Sequence, residues 1–63
     1  HNMSAQTVIE KYIVGWEPGV TDSLILTDHL DEITINKIFL ELNVPENDRN
    51  SLTTVGEIKT YLE

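Results

Sequence analysis

The chain has 63 residues, and eleven Asp and Glu against four Lys and Arg give it a formal net charge of −7. A chain this short forms one small domain at most, and a deep enzyme cleft is hard to build in it. The charge disfavours nucleic acid and anionic membranes, because their phosphates would be repelled. It favours a basic protein partner, or else serves solubility alone.

The start of the chain predicts no targeting segment. His1 and Asn2, ahead of Met3, look like residues left from an expression tag, and we treat residues 4–63 as one helical domain. Neither a basic segment nor a long apolar run follows Met3, which predicts no signal peptide and no membrane span and favours a cytoplasmic protein. Cysteine is absent, so no disulfide or thiolate metal site is expected.

The first predicted helix runs from about Ser4 to Val14 and ends at Gly15. Its apolar residues fall on one helical stripe, formed by Val8, Ile9, Tyr12, Ile13 and Trp16. A loop over 16–26 should follow, because Glu17-Pro18-Gly19 is typical of a turn.

A long helical region is predicted from about Leu24 to Leu42. It carries two apolar stripes that are out of phase near Thr34, so either the helix bends there or its neighbours change. The first stripe is Leu26, Leu30 and Ile33, and the second is Ile35, Ile38, Phe39 and Leu42.

The last part of the chain predicts a loop and then a final helix. The loop over 43–51 should hold a short helical turn near 46–49. Thr54 and Glu57 have the spacing of a capping box, after which Val55, Ile58 and Leu62 should face the core with Tyr61 beside them. No alternating strand pattern occurs, so we predict an all-α fold, a small bundle of three to four helices.

From Leu40 to Glu63 the sequence resembles the C-terminal third of an acyl carrier protein. The residues that carry the resemblance are Val44-Pro45, the acidic loop Glu46-Asn47-Asp48, the run from Leu52 to Ile58, and the closing Tyr61-Leu62-Glu63. The resemblance implies an acyl-carrier-protein-like bundle that presents a tethered acyl or aminoacyl thioester to fatty-acid, polyketide or peptide synthases. Such a protein makes and breaks no bonds itself, so we do not expect an enzyme.

The family has an Asp-Ser-Leu triplet at the start of its second helix, and this chain has Asp22-Ser23-Leu24. The resemblance implies that the Ser23 hydroxyl carries a covalent 4'-phosphopantetheine arm, with Asp22 and Leu24 beside it. A helix N-terminus suits a bound phosphate. From the residues alone, Ser23 can equally be an unmodified helix N-cap or loop residue.

A second alignment remains open, because the segment before Ser23 is shorter, and the segment after it longer, than in the family. The triplet then falls on Asp31-Glu32-Ile33 or on Asp28-His29-Leu30, and its serine is lost. Such a protein would keep the carrier fold without the prosthetic group and serve as a protein-docking module.

Three carboxylates, Asp28, Asp31 and Glu32, have i, i+3, i+4 spacing and would share one helical face. The resemblance implies that this face binds basic-surfaced synthase or transferase proteins, and the alternative is a solvated face. We expect a monomer. His29 with these acids is not a closed metal-ligand set, and no activated nucleophile can be assembled. Trp16 and Phe39 are expected in the core, with the lining of an acyl site as the alternative.

Overall fold

The computed structural model describes residues 5–15 and 19–63. The α-helices are α1 (Ala5–Tyr12), α2 (Glu32–Glu41) and α3 (Val55–Leu62), and two 3-10 segments cover Leu26–Asp28 and Glu46–Ser51. Helix α1 packs against both α2 and α3. Within these residues the β-type pairing is limited to one isolated bridge between Ile25 and Thr54, so the prediction of a small all-α bundle is confirmed.

The core is made of aliphatic side chains and one aromatic ring, and all three helices contribute to it. Its buried members are Ala5, Val8, Ile9, Leu24, Leu26, Ile38, Phe39, Leu42, Val44, Val55 and Ile58. Tyr12 and Ile13 pack partly buried against this cluster, so the stripe predicted for the first helix is confirmed over its described members. Ser4 and Trp16 lie outside the described residues. Leu62, expected in the core, is 40% exposed.

The predicted long helix over 24–42 is wrong in its first half. The chain makes one 3-10 turn at Leu26–Asp28, and α2 begins only at Glu32. Ile33, expected to share a core stripe with Leu26 and Leu30, is instead 69% exposed on α2. Leu26 and Leu30 therefore precede α2 and Ile33 lies on its exposed side, so the first predicted stripe is not formed, whereas the second stripe forms the inner face of α2.

The start of α2 is set by Asp31, which takes the N-cap position. Its backbone is extended, and its Oδ1 accepts a hydrogen bond from the Thr34 N–H at 2.9 Å. This bond satisfies one of the free N–H groups of the first turn. The cap thus stabilises a first turn that contains the β-branched run Ile33-Thr34-Ile35.

The end of α2 is a Schellman motif centred on Asn43, whose φ of +60° is left-handed. The Val44 N–H bonds to the Phe39 carbonyl at 2.9 Å, and the Asn43 N–H bonds to the Leu40 carbonyl at 3.2 Å. Val44 is thereby turned into the core, and Pro45 prevents the helix from continuing.

The first turn of α3 is held by the strap, a name we use for residues 22–26. The Gly56 N–H bonds to the Asp22 carbonyl at 2.8 Å, and the Val55 N–H bonds to the Leu24 carbonyl at 3.1 Å. A Cβ on Gly56 would lie 3.1 Å from both the Cβ and the carbonyl oxygen of Asp22. Lys59 Nζ also donates to Asp22 Oδ1 at 2.7 Å. The strap can approach α3 this closely because residue 56 has no side chain.

The capping box predicted at the start of α3 is confirmed. The Glu57 N–H donates to Thr54 Oγ1 at 3.2 Å, and Glu57 Oε1 accepts the N–H groups of Thr54 at 2.9 Å and Thr53 at 2.8 Å. With the strap, these bonds occupy the N–H groups of the first three residues of α3.

We predict that Gly56→Ala destabilises the domain by about 1–3 kcal/mol, because the added methyl group crowds the strap. An ordinary helical Gly→Ala change has the opposite sign. Urea denaturation measures the effect, with Thr60→Ala on the exposed side of α3 as the helix-propensity control. Equal free energies of unfolding for Gly56→Ala and the wild type would mean that the strap can move away from residue 56 at little cost in free energy.

Candidate docking surface

Ser23 lies in a turn and not at the start of a long helix. The turn is closed by a bond from the Leu24 N–H to the Thr21 carbonyl, 3.1 Å long. The Ser23 side chain is exposed, with its hydroxyl 3.4 Å from Thr21 Oγ1. The 3-10 turn that follows has Ile25 at its N-cap position, so the interpretation of Ser23 as the N-cap of a long helix is wrong.

The neighbours of Ser23 have structural roles. Leu24 is buried in the core, and the carbonyls of Asp22 and Leu24 hold the first turn of α3. Ser23 therefore stands between two carbonyls that already occupy the N–H groups of Val55 and Gly56. The carboxylate of Asp22 is engaged by Lys59. The attachment of an arm at Ser23 stays a prediction.

The triplet that begins α2 is Asp31-Glu32-Ile33. Asp31 is the N-cap, and Glu32 is the first helical residue. Asp28, by contrast, ends the preceding 3-10 turn. The prediction that Asp28, Asp31 and Glu32 share one helical face is therefore wrong, because the chain is not helical between Asp28 and Glu32. All three side chains are nevertheless exposed, and we call them the acidic end of α2.

The charge of this end is favoured by its position on the helix. Hydrogen bonds from the side chain and N–H of Thr34 lower the pKa of Asp31, and the charge of Lys37 lowers it further. Carboxylates beside a helix N-terminus are stabilised by the positive end of its dipole. Asp31 is therefore ionised at neutral pH, and it needs no partner to remain so.

The carboxylate at the opposite end of α2, that of Glu41, forms an ion pair with a lysine. Lys11 Nζ lies 2.6 Å from Glu41 Oε2, and the Tyr12 hydroxyl donates to Glu41 Oε1. The bonds from Lys11 and Tyr12 lower the pKa of Glu41, while Glu41 raises the pKa of both partners. These contacts join the C-terminal ends of α1 and α2.

Helix α2 carries two exposed apolar side chains on its outer side. Ile33 is 69% exposed and Leu40 is 65% exposed. They are two turns apart on one face, with the exposed Asn36 and Lys37 between them. Sequence reasoning missed this pair because it assigned Ile33 to the core. The i, i+7 spacing of Ile33 and Leu40 is visible in the sequence. Whether the pair faces the solvent depended on where the helix begins.

Phe39, expected in the core, is buried there, and the Arg49 guanidinium lies 5.6 Å from the centre of its ring. Arg49 Nε also donates to the Val44 carbonyl at 3.0 Å. His29 is exposed and follows the first 3-10 turn. Among the described residues, no group of three His, Asp or Glu side chains is arranged to hold a metal ion.

Within residues 5–15 and 19–63, no helix is long and apolar enough to cross a membrane. Comparison of the chain with protein-family models, curated proteins and solved structures finds no match. The likeness to acyl carrier proteins therefore rests on the sequence pattern alone, and the cytoplasmic location stays a prediction.

The capping box predicts how stability depends on pH. Hydrogen bonds from the N–H groups of Thr54 and Thr53 lower the pKa of Glu57 in the folded state. A carboxyl of this kind stabilises the fold above its unfolded-state pKa, about 4.3 for Glu. That stability is lost as the pH falls through the lower folded-state value.

We predict that Glu57→Gln has a lower melting temperature than the wild type at neutral pH. The difference should narrow as the pH falls below about 4.3, because only the wild type has this carboxylate to protonate. Thermal melts across pH measure the difference. Glu63→Gln, which removes an exposed carboxylate outside the capping box, serves as control. A difference that stays constant with pH would show that the Glu57 charge adds nothing to the cap.

Proposed function

We propose that this domain is a docking module with a carrier-like helical bundle, which binds a basic protein partner through the acidic end of α2 and carries no prosthetic group. The observation that carries the proposal is the start of α2. In carrier proteins the attachment triplet begins the second helix, and here that place is taken by Asp31-Glu32-Ile33. On the alignment that pairs α2 with that second helix, Glu32 would take the place of the serine, and it has no hydroxyl to modify.

The charge distribution supports a basic partner. Three of the four basic side chains are engaged within the domain: Lys11 and Lys59 in ion pairs, and Arg49 in its bond to the Val44 carbonyl. The acidic end of α2, in contrast, is exposed. Opposite charge on a partner would raise the association rate and set its orientation.

We predict that neutralising the acidic end weakens binding of a basic probe more than the loss of net charge explains. The test variant is Asp28→Asn, Asp31→Asn and Glu32→Gln, in which the new asparagine at the start of α2 keeps a good N-cap side chain. The control variant, Glu10→Gln, Glu46→Gln and Glu63→Gln, loses three negative charges elsewhere on the exposed surface. The probe is a fluorescent Lys-rich helical peptide at low salt, read by anisotropy.

We expect the test variant to bind the probe about fivefold or more weakly than the control, since close charge pairs at an interface contribute more than distant ones. Equal affinities of the two variants would reject the acidic end of α2 as the docking site.

A carrier with its arm on Ser23 is the second candidate. The observation that favours it is the exposed hydroxyl of Ser23 next to Asp22, in the order that the family uses. In that case the domain would hold a covalent 4'-phosphopantetheine and present a thioester to basic-surfaced synthases. The chain itself would supply only the attachment point and the docking surface.

We predict that the protein gains no mass when it is incubated with a broad-specificity phosphopantetheinyl transferase and coenzyme A. Intact mass spectrometry measures the result, with an authentic acyl carrier protein as the positive control. A gain of one phosphopantetheine that disappears in Ser23→Ala would contradict the proposal and establish the second candidate. A gain that persists in Ser23→Ala would place the arm on another residue and would also contradict the proposal.

A further inference from the structure

We draw no further inference here: the strongest candidate, the open groove beside the first turn of α3 between the strap and the 3-10 segment Glu46–Ser51, is lined by the carboxylates of Asp22 and Glu57, which Lys59 and the capping box already engage, and nothing in the structure shows what would occupy it.

Discussion

The contact between the strap and the first turn of α3 is the constraint on which most of this small fold depends. An isolated helix of eight residues is marginal in water, and α3 is stabilised by what surrounds its ends. The strap supplies carbonyls to Val55 and Gly56 and at the same time turns Leu24 and Leu26 into the core. One close approach thus completes a helix end and places two core side chains. It also explains why a glycine stands inside α3.

The features that could be predicted from the sequence are those specified by local chemistry. The capping box of Thr54 and Glu57, the apolar stripe of α1 and the inner face of α2 were all visible as spacing. Each depends on residues within two helical turns of one another. The all-α class follows from these elements, because each must bury one apolar face against another.

The start of α2 could not be predicted, because two helix starts competed. Asp22-Ser23 and Asp31 are both good caps before apolar residues, and only the tertiary contacts of residues 22–26 with α3 decide between them. The choice decides which residues precede α2 and which residues belong to it. Ile33 moves from the core to the surface, and three acids assigned to one helix become parts of two elements. The sequence therefore predicted which acidic residues belong to the candidate site, but it did not predict how they are arranged.

The contacts of Glu41 with Lys11 and Tyr12, an ion pair and a hydrogen bond, do more than join α1 to α2. Because Lys11 balances the charge of Glu41 at one end of α2 while Asp31 at the other end keeps its negative charge, the outer face has a polarity along the helix axis. A charged molecule that approaches this face experiences a torque as well as an attraction. A partner bound in the reverse orientation would place its basic groups at the end of α2 where Lys11 already balances the charge of Glu41. The same three side chains that join α1 to α2 would thus also set the orientation of the docked partner that we propose.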